Sequence, residues 1–438
     1  MAGKTDIAKC FFGLCLLAFA FSVNACGTEK NPPQSSTDVP VTEKASGRAS
    51  DFRFTPDMLA AAQTNFRNWI EVFRVEAIAA GISPAVFDEA LQNARLDPRI
   101  LESDSSQPEF VKPVWEYLAG AVTSDRIQKG QLLMQDNAVL LEGIEARYGV
   151  DRKIVTAIWG LETNFGSFKG SYLVPHALAS LAYQGRRVAY GRSQLMAALQ
   201  ILQAKDIAAK DMVGSWAGAM GHTQLIPTTY LSHAVDADGD GRRDIWMSVA
   251  DALSSTANYL SASGWDRGLA WGEEVVLPQG FDYALADDVI RKPVSAWNAL
   301  RVRSTTGGSV SIAPAEIARL ILPAGHRGPA FLVTRNFDAV TIYNNSISYA
   351  LAVTSLASRM GGAAPFQAGW PVSERPLNKS EREEVQSRLN ARGYHVGAVD
   401  GLIGKDTRAA IRLFQSASAL PADGYANQVL LERLRQPD

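Results

Sequence analysis

Residues 154–167 read IVTAIWGLETNFGS, and this segment constrains the fold more strongly than any other part of the chain. Its first eight residues are almost entirely apolar, and a single carboxylate, Glu162, follows them. In an α-helix, positions i, i+3, i+4 and i+7 lie on one face. A helix here therefore places Glu162 on the same face as three apolar side chains, those of Val155, Ile158 and Trp159. The pattern predicts a buried helix that carries one acid.

The position of Glu162 allows two interpretations. Burial and the unpaired carbonyl groups of a helix C-terminus both favour the neutral form of an acid. A neutral acid held against aromatic surface is what a general acid requires. A structural glutamate bonded to a buried amide or arginine fits the same pattern, and on this segment alone it is the stronger interpretation. Other segments must decide between the two.

The N-terminus has the pattern of a secretory signal. Residues 10–23 form an apolar run that follows two lysines, and the run is too short to span a bilayer comfortably. This combination is typical of the apolar region of a signal peptide. The sequence VNAC, which ends at Cys26, resembles a bacterial lipobox. We therefore predict a signal peptide over residues 1–25 and a lipid anchor on Cys26, with plain signal cleavage as the alternative.

The cysteine content agrees with a lipid anchor. Of the three cysteines, Cys10 and Cys15 lie in the segment that signal cleavage removes. The remaining one, Cys26, cannot form an internal disulfide on its own. Residues 26–50 are rich in Pro, Ser and Thr and have little to bury, so we predict that they form a flexible tether.

The chain is long enough for two or three domains, since its 438 residues exceed one ordinary domain. Helical patterns dominate residues 51–364, and strand-like runs occur near Val275 and Leu332, so we predict a mainly α domain of the α+β class. Residues 365–376 form a proline-rich linker. The patterns in residues 377–438 predict three helices in a small domain of their own.

Two further helical patterns flank a glycine-rich stretch. They cover residues 193–210 and 248–262. Between them, residues 215–231 read SWAGAMGHTQLIPTTYL, and glycines at such spacing permit close approach of the backbone. The amide of Gln224 within this stretch is suited to bind an amide or a sugar hydroxyl.

The sequence VDADGDGRRDIW has the spacing of a calcium-binding loop. The oxygen ligands that this spacing predicts are the carboxylates of Asp236, Asp238, Asp240 and Asp244 and the carbonyl of Arg242. The twelfth position, which usually supplies a bidentate glutamate, is Met247 here, and Asp251 is the candidate replacement. We predict a structural Ca²⁺ and no cofactor for chemistry, with an acidic turn without metal as the alternative.

Five motifs occur in a fixed order over about 200 residues: GLETNFG, SWAGAMGHTQLIPTTY, DADGDGRRDIW, ANYLSASGW and YNNSISYALAV. Together they resemble the membrane-bound lytic murein transglycosylase B family, which implies a lysozyme-like fold for the catalytic core. The C-terminal sequence RGYHVGAVDGLIGKDTRAAIRLFQ resembles the three-helix peptidoglycan-binding domain. These resemblances cover most of the chain after the tether.

The resemblance implies roles for individual residues. Glu162 matches the catalytic acid of the family, and the aspartate-rich loop matches its calcium site. The residues that match the sugar-binding cleft are Ser215, Gln224, Tyr259, Tyr343, Asn344 and Tyr349. His222 lies at a position that varies in the family, so we assign it no catalytic role.

The family reaction agrees with a single acid. Ordinary glycosidases use two carboxylates at a set separation, and Glu142, Glu145 and Asp151 precede the helix without motif context. The resemblance implies that Glu162 protonates the oxygen between N-acetylmuramic acid (MurNAc) and N-acetylglucosamine (GlcNAc). The muramyl C6 hydroxyl then closes a 1,6-anhydro ring. A hydrolytic muramidase of the same fold and a non-catalytic wall-binding lipoprotein are the alternatives.

The expected partners are peptidoglycan glycan strands and, through Cys26, a membrane. Gly27 rather than an aspartate follows the cysteine, which by the enteric sorting rule favours the outer membrane, facing the periplasm. The formal net charge of −2 provides no overall basic field, so we do not expect a nucleic-acid partner. We expect a monomer.

Overall fold

The structure, a computed structural model, describes residues 56–105 and 112–437. Within these ranges the chain forms 17 α-helices and seven short β-strands. The helices, α1 to α17 in chain order, are Pro56–Ala79, Pro84–Leu91, Pro98–Ser105, Val114–Ala121, Ser124–Asp136, Ala138–Tyr148, Arg152–Thr163, Val174–Tyr183, Val188–Ala204, Pro227–His233, Val249–Ala262, Val294–Ala299, Arg335–Tyr343, Ile347–Met360, Lys379–Ala391, Lys405–Ala417 and Gln428–Arg435. The strands, β1 to β7, are Tyr172–Leu173, Val213–Gly214, Gly272–Val276, Lys292–Pro293, Arg303–Ser304, Ile317–Ile321 and Ala330–Val333.

The predicted signal peptide, the tether and Cys26 lie outside the described residues. No helix in the described ranges is long and apolar enough to cross a membrane.

Helix α7 lies at the centre of the second of two large apolar clusters. All seven residues from 154 to 160 are buried, so the helix is enclosed on every side rather than along one stripe. Its main neighbours are α5, α11 and α14, which pack around it. The first cluster joins α1, α2, α8 and α9. The enclosure of α7 fixes the position of the acid at its C-terminal end.

Residues with positive φ end two of the helices, and the second of these helices ends earlier than its sequence pattern predicts. Helix α7 stops at Thr163, because Asn164 and Phe165 both adopt left-handed backbone conformations. Helix α9 runs over Val188–Ala204 rather than residues 193–210, and it stops at Lys205, which also has a positive φ of 63°. The predicted helix over residues 248–262 is confirmed, since Ser248 caps α11 through its side chain.

A small antiparallel sheet has the strand order β4-β6-β7-β3-β5. The strands predicted near Val275 and Leu332 are confirmed as β3 and β7. The sequence patterns did not predict the other three strands of this sheet. Two of them, β4 and β5, are only two residues long. The sheet packs on its own apolar cluster, in which Trp297 is fully buried.

Helices α15, α16 and α17 confirm the predicted three-helix unit and share an apolar cluster of their own. This unit is fastened to the rest of the structure by ion pairs. Arg412 Nη2 lies 2.6 Å from Asp287 Oδ2, and Arg408 Nη2 lies 2.7 Å from Asp288 Oδ2. Residues 365–376 contain no helix or strand, as predicted for a linker. The exact domain boundaries stay a prediction.

Candidate active site

The C-terminal end of α7 forms a tight turn that presents Glu162. Asn164, Phe165 and Gly166 have φ angles of 49°, 60° and 77°, three consecutive left-handed residues. The amide of Asn164 donates to the carbonyl of Gly160 at 3.1 Å, which closes the helix. The Phe165 ring then folds back over Gly160, where a Cβ would lie 2.7 Å from the ring. Glu162 is left half-buried on the last turn of the helix.

The turn is tied to the glycine-rich stretch through Thr163 and His222. The Thr163 hydroxyl donates to the carbonyl of His222 at 2.6 Å and accepts from the amide of Gly166 at 2.8 Å. The indole N–H of Trp159 donates to His222 Nδ1 at 3.0 Å. Burial, reinforced by the charge of Lys169, lowers the pKa of His222 to about 4. His222 is therefore uncharged at neutral pH and acts as a hydrogen-bond acceptor within the fold.

Tyr349 contacts the acid directly. Its hydroxyl donates to Glu162 Oε1 at 2.6 Å. The side chain of Ser346 caps α14 by accepting from the Tyr349 amide, which places the tyrosine in the first turn of that helix. Burial and the nearby charge of Glu162 raise the pKa of Tyr349 well above its ordinary value. Tyr349 therefore keeps its proton and serves as a donor that orients the carboxyl group.

Two more tyrosines extend the site. The hydroxyl of Tyr343 donates to the carbonyl of Thr223. Burial raises the pKa of Tyr343, and the charge of Glu162 acts in the same direction. The ring of Tyr259 lies 5.3 Å from that of Tyr343 between centroids. The structure thus brings three of the predicted cleft residues, Tyr343, Tyr349 and Tyr259, into one group with the acid.

The other predicted cleft residues are held by their own loops. Gln224 has a φ of 54°, and its Nε2 donates to the carbonyl groups of Gly221 and Lys169 at 3.0 and 3.3 Å. The Ser215 hydroxyl accepts from the amide of Ala219 at 3.0 Å. Asn344 follows the last residue of α13 and is half-buried. Their contacts with substrate stay predictions.

Three of the predicted calcium ligands come together. Carboxylate oxygens of Asp236, Asp238 and Asp251 all lie within 4.8 Å of one another. Asp251 is fully buried on α11, and it accepts backbone N–H groups of Ala237 and Asp244, each at 2.7 Å. Burial raises the pKa of Asp251. A set of hard carboxylate oxygens, one of them desolvated, fits Ca²⁺ rather than a softer metal.

The remaining carboxylates of the loop make other contacts. Asp240 accepts from the amide of Arg242 at 2.8 Å and from its guanidinium at 3.2 Å. Asp244 Oδ1 accepts from the amides of Trp246 and Met247, both at 2.9 Å. Asp251, on the following helix, lies beside the loop, as expected for a replacement of the glutamate missing at Met247. Ligation by Asp240, Asp244 and the Arg242 carbonyl stays a prediction.

Lys129 is a residue of this region that sequence reasoning missed. Its ammonium donates to the carbonyl of Asn164 at 2.9 Å and to the hydroxyl of Ser167 at 2.8 Å. It also lies 5.5 Å from the centre of the Phe165 ring. Because 35 residues separate Lys129 from the turn, no local pattern links them.

Residues 65–358 match the family described as the transglycosylase SLT domain. The chain belongs to the transglycosylase SLT family. Members of this family are lytic transglycosylases, lyases that act on peptidoglycan, and the chain is an enzyme of this class. Residues 378–434 match a second family, described as a peptidoglycan binding domain.

Individual relatives of the transglycosylase SLT family agree with this assignment. The membrane-bound lytic murein transglycosylase B of Escherichia coli is 31% identical over 279 residues, which cover 60% of the chain and 74% of that protein. The crystal structure of SltB3 from Pseudomonas aeruginosa, in complex with NAG-anhNAM-pentapeptide, has a TM-score of 0.82 and 52% identity, covering 85% of the chain and 99% of SltB3.

A third relative was solved as a calcium complex. The structure of the Escherichia coli lytic transglycosylase Slt35 in complex with calcium has a TM-score of 0.58 and 26% identity, covering 69% of the chain and 94% of Slt35. Together these likenesses confirm the predicted fold class: a mainly α, lysozyme-like transglycosylase core with a small three-helix C-terminal domain.

Proposed function

We propose that the enzyme cleaves the β-1,4 bond between MurNAc and GlcNAc in peptidoglycan and leaves 1,6-anhydro-MurNAc ends. The observation that carries this proposal is the pairing of Glu162 with Tyr349 at the end of a buried helix. A half-buried carboxyl group with one oxygen held by a phenol is suited to deliver a proton in a fixed direction. The ligand of the SltB3 relative, NAG-anhNAM-pentapeptide, has the chemistry of such a product.

The reaction needs two proton transfers at one carboxyl group. Glu162 first donates its proton to the glycosidic oxygen, and the bond from that oxygen to muramyl C1 breaks as GlcNAc leaves. The muramyl O6 then attacks C1, and its hydroxyl proton passes to the Glu162 carboxylate. The acid returns to its starting state, and no water is consumed. The substrate therefore supplies the nucleophile that a second carboxylate or a water molecule supplies in other glycosidases.

The placement of the nearest acids in sequence supports a single-acid mechanism. Asp151 caps the opposite end of α7, where its carboxylate accepts from the amide of Lys153. At a rise of about 1.5 Å per residue, the eleven positions from Asp151 to Glu162 correspond to roughly 16 Å. Glycosidases that use paired carboxylates hold them about 5 to 9.5 Å apart.

Glu142 and Glu145, on α6, also lie near the N-terminal end of α7. Glu142 Oε1 accepts from Arg152 Nη1 at 2.8 Å, and Glu145 lies 3.7 Å from the same guanidinium. Because Arg152 begins α7, both carboxylates lie near the helix N-terminus, far from Glu162. None of the three acids considered from the sequence is thus placed to serve as a partner.

We propose that Ca²⁺ binds Asp236, Asp238 and Asp251 and has a structural role. Asp251 lies on α11, the helix that also carries Tyr259. A cation at this point joins the acidic loop to α11 and thereby steadies the cleft side of that helix. The calcium complex of the Slt35 relative supports this assignment.

We propose that the enzyme is a monomeric outer-membrane lipoprotein that faces the periplasm. The VNAC motif supports a lipid on Cys26, and the E. coli relative is named as membrane-bound. The match of residues 378–434 to a peptidoglycan binding domain supports a second attachment, to the cell wall. Labelling with palmitate tests the anchor: label on the wild type that is lost in Cys26→Ser is expected, and equal label on both contradicts it.

The test of the catalytic assignment is Glu162→Gln. The amide keeps the size of the side chain and one acceptor for Tyr349, but it cannot donate and recover a proton. We expect digestion of purified murein to stop while binding to murein persists. A variant that still cleaves at the wild-type rate would show that Glu162 is not the acid.

A further inference from the structure

His233 continues the row of aromatic rings that begins beside the acid. It is the last residue of α10, and its ring centroid lies 4.8 Å from that of Tyr259, with an angle of 26° between the ring planes. Tyr259 in turn contacts Tyr343, whose phenol lies in the electrostatic field of Glu162. The three rings of Tyr343, Tyr259 and His233 thus form a column that leads away from the catalytic carboxyl group.

Backbone contacts hold this column in place. The carbonyl of His233 accepts from Asn258 Nδ2 at 2.9 Å, which ties the end of α10 to α11. The Tyr259 hydroxyl donates to the carbonyl of Ile342 at 3.2 Å, which ties α11 to α13. The column is therefore preorganised, because three helices fix it before any ligand binds.

The exposed part of His233 has a defined chemistry. Its side chain is partly exposed, and within the described ranges the structure shows no hydrogen bond to its ring nitrogens. Burial lowers the pKa of His233, so the ring is neutral at neutral pH. A neutral imidazole has two flat faces, one of which stacks on Tyr259 here, together with one N–H donor and one nitrogen acceptor. This combination suits an uncharged sugar ring with hydroxyl and acetamido groups, and it does not provide a cation for a carboxylate.

We infer that His233 is a positioning residue at a sugar subsite beyond Tyr259, where it stacks on an N-acetylated sugar of the glycan strand. The inference rests on the proposed glycan-cleaving function and adds a subsite to it. The apolar face of the sugar packs on the exposed imidazole, as carbohydrate and aromatic faces do when both lose water. A strand long enough to reach His233 is held more firmly over Glu162 than a short one.

Binding to the inactive Glu162→Gln enzyme tests the inference without interference from cleavage. The probes are a GlcNAc–MurNAc disaccharide and a longer glycan of four repeating disaccharides, measured by calorimetry. The double variant Glu162→Gln/His233→Ala should bind the longer glycan about three- to tenfold more weakly than Glu162→Gln alone, the effect expected for one aromatic contact. Binding of the disaccharide should weaken less. His233→Phe, which keeps the flat ring, should restore most of the affinity for the longer glycan.

The control variant is Ser232→Ala, at an exposed neighbour on the same helix whose hydroxyl donates to the carbonyl of Thr228. It should bind both probes as Glu162→Gln does. Equal affinity for the longer glycan with and without His233→Ala would overturn the inference. Equal weakening of both probes without rescue by His233→Phe would also overturn it, because that result indicates a loosened fold. The proposed function fails separately, if the wild-type enzyme releases no cleaved murein fragments.

Discussion

The hydroxyl of Tyr349 lies 2.6 Å from Oε1 of Glu162, although 187 residues separate the two in sequence. The contact exists because α14 packs along α7, and because Tyr349 lies in the first turn of α14 while Glu162 lies in the last turn of α7. The acid therefore meets its hydrogen-bond donor where α7 ends and α14 begins. This relationship gives the carboxyl group one fixed orientation.

Tyr349→Phe tests that orientation. The substitution keeps the buried ring and removes only the hydrogen bond to the carboxyl group. A hydrogen bond to a charged group contributes about 1.5 to 3 kcal/mol, so we expect kcat to fall about 10- to 100-fold. The value of KM should change little. The measurement is release of soluble fragments from murein, with Tyr394→Phe in the C-terminal domain as the matched control. A Tyr349→Phe enzyme with the wild-type kcat would contradict the positioning role.

Gly160→Ala tests the turn that presents the acid. A Cβ at this position would lie 2.7 Å from the Phe165 ring, which has no room to move because it is buried. We expect a loss of about 1 to 3 kcal/mol in the free energy of unfolding, as for other overpacked sites. Gly143→Ala, in the exposed middle of α6, meets nothing within 4 Å and is the control.

In the control, alanine should stabilise the helix by about 0.5 to 1 kcal/mol, because it restricts the unfolded chain more than glycine does. Denaturant unfolding of the two variants gives the comparison. If Gly160→Ala unfolds at the same denaturant concentration as the wild type, the close approach of Phe165 to α7 is wrong.

The lowered pKa of His222, about 4, predicts a loss of stability in acid. In the unfolded chain this histidine takes up a proton as the pH falls through about 6.5, whereas in the folded chain it does so only near pH 4. Between these values the unfolded state binds more protons, so the free energy of unfolding falls by up to about 1.4 kcal/mol per pH unit. The stabilising contribution of His222 to the free energy of unfolding is fully present above about pH 6.5.

His222→Gln removes this titration and keeps an acceptor for the Trp159 N–H. Unfolding measured at pH 7, 6 and 5 should therefore show a steeper decline for the wild type than for the variant. Parallel declines would indicate that His222 is protonated in the folded enzyme and does not accept from Trp159.

Calcium should raise the melting temperature of enzyme that has been stripped with a chelator. A ligand at 100 times its Kd stabilises the folded state by about 2.7 kcal/mol, and the gain should largely vanish in Asp236→Asn. Asp282→Asn, at an exposed turn away from the acidic loop, is the matched control and should keep the full gain. An equal melting temperature with and without calcium in the wild type would contradict a calcium site.

The sequence was most informative where structure is local. Helix α7 and the placement of Glu162 near its end follow from the apolar pattern of residues 154–161, and loop spacing located Asp236 and Asp238. Asp251, the candidate replacement for the missing glutamate, lies close to them because α11 begins directly after the loop. These features depend on residues close together in the chain.

Contacts between distant segments could not be derived from local patterns. The resemblance identified Tyr343 and Tyr349 as cleft residues, but only the packing of helices shows that Tyr349 bonds Glu162. The Thr163–His222 hydrogen bond and the contact of Lys129 with the α7 turn had no sequence signal at all. The short strands β4 and β5 had too few residues to display the alternation that reveals a strand.

The fate of muramyl C1 distinguishes attack by the substrate hydroxyl from attack by water. In the proposed reaction a hydroxyl of the substrate, not water, attacks C1 after Glu162 protonates the leaving oxygen. Murein digested in water enriched in the heavy oxygen isotope should therefore give 1,6-anhydro-MurNAc ends without heavy oxygen, as read by mass spectrometry. Reducing MurNAc ends that carry the heavy isotope at C1 would show that water attacks, and would contradict the single-glutamate transglycosylase mechanism.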